Sequence, residues 1–296
     1  MDLDWLTTYE GWLRWYALLV GFATVGVWEN FRPRRELRSS TPIRWLSHLV
    51  LDICSNLVGI WVVGVAGVAL AQAAQTNSYG LLNSQAIPFV VRFCAGVLLI
   101  DLFTYLLHRL YHAVPWLWRI HEAHHSDPDF DLTTGLRFHP LEPPIGILIG
   151  TAVIYWLAPP PSVIAFRAVT FIYITFFSHS NVHLPEGVDR LLRRFVVTPD
   201  MHRIHHSNDP AEQRHNYGGY VPWWDYLFGT YQEQPALGHV GMGVGSAEIP
   251  ERECLNPAHI VIRPFRSRKS LELSRIAAAA ESAPRVMSPI VLQQSR

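Results

Sequence analysis

The chain has no surplus of either charge, with 24 Lys and Arg against 24 Asp and Glu. Without a basic surplus or a basic stripe, nothing is available to neutralise phosphates, which excludes nucleic acid as a partner. Charge of any kind is scarce: 16% of residues are charged, against about a quarter in soluble domains. Mean hydropathy is positive at +0.13, and this combination selects a membrane protein. Cysteine is sparse as well. Cys54, Cys94 and Cys254 lie far apart, two of them in apolar runs, which excludes a disulfide framework and a clustered thiolate metal site. A Gly-rich phosphate loop and a dinucleotide fingerprint are both missing. Histidine is what the chain has in excess: fifteen residues, ten of them in four tight groups.

A helical span of a bilayer takes about 20 residues. Four apolar regions approach or exceed that length: Trp15 to Trp28, Leu46 to Ala74, Pro88 to Leu107, and Ile145 to Phe177. The last is broken by Pro159, Pro160 and Pro161 and reads as two short helical pieces that dip into the membrane or span it poorly. Arginine sets the orientation. Arg32, Arg34, Arg35, Arg38 and Arg44 follow the first run, so the loop that carries them is expected on the cytoplasmic side. The third run then returns the chain to that side at His108, and the broken region delivers His179 there too. All four histidine groups thus reach one face by reasoning that used no histidine.

His108 and His112 form H-x-x-x-H, and four helical residues turn through about 400°, which puts both rings on one face. His121, His124 and His125 form H-x-x-H-H. His179 and His183 repeat the first pattern, and His202, His205 and His206 repeat the second. Ten imidazoles exceed the needs of one ion, since zinc takes about four ligands and an octahedral metal about six. Two metals sharing the ten, with positions left open for water or oxygen, fit the number. Spacing alone leaves zinc, iron, copper and nickel open as the metal.

The stretch DLFTYLLHRLYHAVPWLWRIHEAHHSDPDFDLTTGLRFH, Asp101 to His139, and the segments FSHSNVHLPEG, VTPDMHRIHHS, NYGG and WWDYLFGTY resemble the bacterial sterol desaturase branch of the fatty acid hydroxylase and sterol desaturase superfamily. The likeness covers roughly residues 88 to 232. It implies two iron ions held by the ten box histidines, dioxygen as co-substrate, and attack on an unactivated C–H bond of a lipid. It also implies a separate electron carrier, ferredoxin-like or cytochrome b5-like, with its reductase, and residence in a bacterial inner membrane.

Further candidates sit around the boxes. Asp101, seven residues before His108 on nearly the same helical face, and Tyr105 between them are expected to serve catalysis; the competing reading pairs Asp101 with Arg92 or a polar group of another helix. His139 in RFHP is expected as an eleventh ligand or a partner of one, and Glu122 and Asp200 as acceptors for ligand N–H groups. Trp116 and Trp118 read as interface anchors. His48, His239 and His259 fall outside every pattern. The expected fold is all-α: two amino-terminal spans with a basic loop over residues 1–87, a catalytic domain over 88–238 with a cytosolic histidine-rich cap, and a largely disordered extension over 239–296. The function expected is oxygen-dependent hydroxylation or desaturation of a membrane lipid. A metal transporter or store and a zinc-dependent lipid hydrolase are the alternatives.

Overall fold

The computed structural model describes residues 3–63, 67–76 and 79–282, and among them it is all-helical, with no strand beyond two isolated bridges. The elements are α1 (Asp4–Thr8), α2 (Glu10–Phe31), α3 (Thr41–Val63), α4 (Gly67–Thr76), α5 (Phe89–Ala113), α6 (Pro115–His125), α7 (Glu142–Leu157), α8 (Pro161–Ser178), α9 (Glu186–Leu192), α10 (Pro199–His205), α11 (Trp223–Phe228), α12 (Gly238–Gly241), α13 (Glu251–Cys254), α14 (Pro257–Ile262) and α15 (Arg268–Ser282).

Among the described residues two helices, α5 and α8, are long and apolar enough to cross a bilayer, and α7 is apolar but shorter. With 25 residues, α5 runs for about 37 Å. The triple proline acts where expected. After α7, Ala158 takes a left-handed conformation (φ 45°), and α8 starts on Pro161, so the break is a turn between two helices. The region Leu46 to Ala74 is divided between α3 and α4, with residues 64–66 between them outside the described set. Along α2, Gly21 brings the helix against α8: a Cβ at that position would stand 3.2 Å from Phe176. Large apolar side chains such as Trp12, Trp15 and Leu19 on α2, Leu57 on α3 and Trp156 on α7 face outward. An exposed apolar surface of that extent needs a covering, and lipid supplies one.

The loop that follows α6, Asp127 to Thr134, is fastened to the first helices by buried charge. Arg44 of α3, fully buried, donates to both oxygens of Asp127 at 2.9 Å and to Asp131 at 2.8 Å. Thr134 donates to Asp127 at 2.6 Å, and Glu29 of α2 accepts from the Leu132 and Asn181 amides at 3.0 and 2.7 Å. Burial alone would raise the Asp127 carboxyl, but Arg44 and His48 beside it hold it well below the usual range.

The expectation of a largely disordered extension is corrected for residues up to Ser282. Four helices, α12 to α15, occupy that stretch, and residues 283–296 lie outside the described set. Composition misled because the attachment is polar and non-local. Arg263 donates to both oxygens of Glu122 at 2.7 and 3.1 Å, Arg137 donates to the Cys254 carbonyl at 2.8 Å, and Arg119 donates to the Pro264 carbonyl at 3.1 Å.

Replacing Arg44 by Met would leave Asp127 and Asp131 buried without their cation. The expected loss of stability is about 3–5 kcal/mol, measured as a lowered Tm of the purified protein in detergent. An unchanged Tm would contradict the assignment.

Candidate metal centre

Nine of the ten boxed histidines converge. His108, His112, His121, His125 and His205 form one group and His124, His179, His202 and His206 a second, and within each group the candidate ligand atoms all lie within 4.8 Å of one another. The contributing elements are the end of α5, the last two turns of α6, the residue after α8, and α10 with the residue following it. Helical spacing works as read for α5, α6 and α10. The groups are neighbours: the rings of His125 and His206, one from each, stack with centroids 4.4 Å apart.

Hydrogen bonding on the outer side of the rings fixes which nitrogen faces inward. Nδ1 of His108 donates to the Tyr217 carbonyl (2.8 Å), of His124 to Arg137 (3.1 Å), of His179 to Thr175 (2.8 Å) and of His205 to His215 (2.9 Å). His121 Nδ1 donates to Glu142 Oε1 at 2.8 Å. A carbonyl or carboxylate oxygen only accepts, so in each neutral ring the proton is on Nδ1 and Nε2 is a bare lone pair. These bare atoms face each other. The Nε2–Nε2 separations are 2.9 Å for His205–His108, 3.1 Å for His108–His121 and 3.2 Å for His179–His124. His202 stands 3.0 Å from His179, and His125 stands 3.2 Å from His121. Every close pair falls within one group.

Protonation does not supply the missing hydrogen. Burial holds His124, His125, His202, His205 and His206 well below the ordinary histidine range and His179 at about 4. The buried Nε2 atoms of His112 and His206 likewise have no hydrogen-bond partner. A shared cation satisfies all of these atoms at once, and two nitrogens held at about 2.0–2.1 Å from one ion sit roughly 3 Å apart. The donor set therefore fits two metal ions with nitrogen ligands.

The tenth histidine is excluded. His183 is exposed, outside both groups, with its backbone N–H donating to the Arg32 carbonyl at 2.7 Å. The physical reason is that α8 ends at Ser178, so the chain from His179 to His183 is not helical and a four-residue spacing no longer implies a common face. Asp101 does not meet His108 either. It accepts from Trp224 Nε1 at 2.8 Å, with Arg167 of α8 at 3.5 Å, so the competing reading of a pairing with another helix holds. Tyr105 shares its hydroxyl with Thr230 at 2.8 Å and stacks on Phe228. Asp101 and Tyr105 tie the segment from Tyr217 to Thr230 onto α5. His139 is buried, bonds the Val261 carbonyl at 3.0 Å and belongs to neither group. Glu122 faces Arg263, and Asp200 faces Arg34, Arg203 and His239, so neither accepts from a grouped histidine. His48 and His239, outside every pattern, are buried partners of acidic residues.

Other residues surround the rings. Glu142, at the head of α7, orients His121; an acid opening an apolar run was the available signal. Phe138 stacks on His124 with centroids 4.7 Å apart, and Trp118, read as an interface anchor, lies 5.0 Å from His112. At Gly135 a Cβ would fall 2.8 Å from the Thr175 side chain and 3.3 Å from His179 Nδ1, so only glycine lets the loop approach His179. A cavity of about 440 Å³ opens beside the groups, bounded by His108, His121, His124, His179 and His202 and by apolar side chains including Leu107, Leu136, Phe171 and Phe176.

Because burial depresses the ring pKa values, the unfolded chain, titrating near about 6.5, takes up protons that the folded cap refuses. Stability of the metal-free protein is expected to be complete above that pH and to fall as pH drops through it toward about 4, the value for His179. Thermal melts across that range check the sign. Chelation at pH 7.5 is expected to lower the Tm, with recovery on adding back one metal; no change would count against a metal-supported cap. Arg263→Met should lower metal content with the spans intact, read by elemental analysis.

Residues 93–230 match the family model described as fatty acid hydroxylase. The chain is 28% identical over 202 residues to an ornithine lipid hydroxylase of Rhizobium tropici, covering 65% of this chain and 60% of that protein. It is 32% identical over 139 residues to the alkylglycerol monooxygenase of Homo sapiens, covering 46% of this chain and 29% of that one. It is 26% identical over 153 residues to a Delta(7)-sterol-C5(6)-desaturase of Nicotiana tabacum, covering 50% and 52%. The matched region thus spans less than two thirds of each of these relatives. No solved structure matches the chain. With the histidines gathered in two groups inside it, the matched region belongs to the fatty acid hydroxylase and sterol desaturase superfamily.

Proposed function

We propose that this protein is an oxygen-dependent di-iron enzyme that hydroxylates or desaturates a membrane lipid at an unactivated C–H bond. The observation that carries the reading is the convergence of nine imidazoles, seven of them buried, on two adjacent points beside a cavity of about 440 Å³ with mostly apolar walls, a volume in the range of small-molecule sites. His108, His112, His121, His125 and His205 would hold one iron, and His124, His179, His202 and His206 the other. Bound there, the pair supplies the reduction of dioxygen and the oxidising power to break a C–H bond. For hydroxylation the balance is RH + O2 + 2 electrons + 2 H+ giving ROH + H2O. For desaturation, two hydrogens leave neighbouring carbons and, with O2, two electrons and two protons, give the alkene and two waters. The electrons come from a separate ferredoxin-like or cytochrome b5-like carrier with its reductase.

The protein's own part is to hold and exclude. Glu142 and the backbone carbonyls keep the Nδ1 protons in place, which leaves Nε2 free for metal. Phe138 and Trp118 close the sides of the rings, and the segment from Asn216 to Thr230 covers them. Leu107, Phe171 and Phe176 provide an apolar wall for a chain drawn from the bilayer. The arginine loop supports a cytoplasmic site. Arg34 donates to Asp200 at 3.1 Å and Arg35 donates to the Met242 carbonyl at 3.0 Å, so the basic loop and the histidine cap share a side. The setting is an integral, multi-pass protein of a bacterial inner membrane. Zinc hydrolysis is disfavoured by the first group, whose five rings exceed a tetrahedral shell.

Lipid analysis of cells with and without the chain tests the activity: a lipid gaining one oxygen or losing two hydrogens is expected, and an unchanged lipidome with zinc in the purified protein would overturn it. His124→Ala and His205→Ala are each expected to lower metal content and reduce turnover at least a hundredfold. His183→Ala is expected to keep both, in contrast to a reading of the boxes from spacing alone.

A further inference from the structure

A second cavity, of about 880 Å³, lies between α2 and α3 toward the arginine loop, and its walls continue those of the cavity beside the metal groups. Leu18 of α2 borders the inner cavity, and Phe22, Gly26 and Asn30 follow it at four-residue steps along the outer one, so one inclined row of α2 serves both. α3 runs the opposite way beside it. Thr41 and Trp45 border the outer cavity, and Ser55 and Asn56 border the inner. The floor keeps the same order, with Leu132 in the outer cavity and Leu136 in the inner. Because α2 packs along α8 and α3 along α7, the space between α2 and α3 is left as one cleft, which follows α2 from Leu18 to Asn30 for about 18 Å.

A partition one ring thick divides the cleft. Phe22, partly buried, stands edge-on to Trp45 on the outer side, with centroids 6.0 Å apart, and to Phe176 on the inner side at 5.9 Å. Phe22 packs in one apolar cluster with Leu132, Leu136 and Phe176, so turning its ring breaks no hydrogen bond, and a hydrocarbon chain in its place restores the lost dispersion contacts. The outer cavity takes apolar matter too. Of its polar neighbours, Glu29 accepts the Leu132 and Asn181 amides, Asp131 accepts from Arg44, and Asn181 donates to the Arg35 carbonyl, so these three are engaged within the fold. Val27, Phe31 and Trp45 border it and are exposed on the surface that lipid covers.

Resting on the reading that the inner cavity receives a lipid, we propose that the substrate is a flexible acyl or alkyl chain lying along the whole cleft, part in each cavity, with Phe22 turned aside. The outer cavity then sets the chain length the enzyme takes. A fused-ring sterol, rigid and broader than a chain, does not pass a constriction one ring wide.

The test uses hexadecanol carrying a diazirine at mid-chain, photolysed with the full-length, zinc-loaded protein in phosphatidylcholine nanodiscs, with adducts located by peptide mass spectrometry. Labelling is expected on Phe22, Trp45 or Phe176 whichever end of the chain leads, and unlabelled hexadecanol is expected to displace it while cholesterol at equal concentration does not. Ala23, beside Phe22, borders the outer cavity from an exposed position on α2. Ala23→Phe fills that cavity, and since each methylene kept out of apolar contact costs about fourfold in affinity, hexadecanol is expected to compete about tenfold or more less well, with octanol within about twofold of its wild-type value. Labelling that avoids the partition, cholesterol competing as well as hexadecanol, or hexadecanol binding untouched by Ala23→Phe would overturn the proposal. Wild-type labelling decides even if the variant folds poorly. Oxygen uptake by the iron-loaded protein is measured separately, so loss of the oxygenase reading and loss of the two-part cleft give different results.

Discussion

Bare nitrogen lone pairs face one another about 3 Å apart inside the protein, and the rest of the cap exists to keep them so. Five Nε2–Nε2 pairs stand between 2.9 and 3.2 Å, and in three of them both rings turn their protons outward to carbonyls or to Glu142. Left to themselves such pairs repel, and relaxation would let each ring rotate or admit a proton. The outer hydrogen bonds forbid the rotation, and burial opposes the proton. What remains is a socket whose lowest energy is reached with a cation, which couples folding of the cap to metal binding.

Much of that restraint comes from outside residues 93–230. The loop after α6 is pinned by Glu29 and Arg44 from the first helices, and α6 itself is gripped by Arg263 near the other end of the chain. The family match covers residues 93–230 and contains every grouped histidine, yet the partners that hold those elements lie at residues 29 to 48 and 251 to 266.

The all-helical class and eight of the nine grouped histidines were legible in the sequence because they depend on local periodicity: a three- or four-residue spacing along α5, α6 or α10 dictates a shared face whatever surrounds it. His183 was misread for the same reason, since the rule assumes a helix and α8 stops at Ser178. Asp101 and Tyr105 share the helical face of His108 as read, but the segment holding Trp224 and Thr230 claims their polar atoms first. Glu142, Arg44 and Arg263 were invisible because their partners lie 21, 83 and 141 residues away. No spacing pattern carries information about such pairings, and the folded extension went unrecognised on the same account.

The grip of Arg263 on Glu122 has a bearing on how the protein is made. Glu122 leaves the ribosome 141 residues ahead of its partner, a delay of roughly 7 to 28 seconds at translation speeds of about 5–20 residues per second. During that interval the histidine-bearing helix has no fastening on its Glu122 side, whereas the Arg44 anchor has already emerged. Assembly of the histidine-bearing elements therefore has an order, with the Arg44 attachment available first and the Arg263 attachment last.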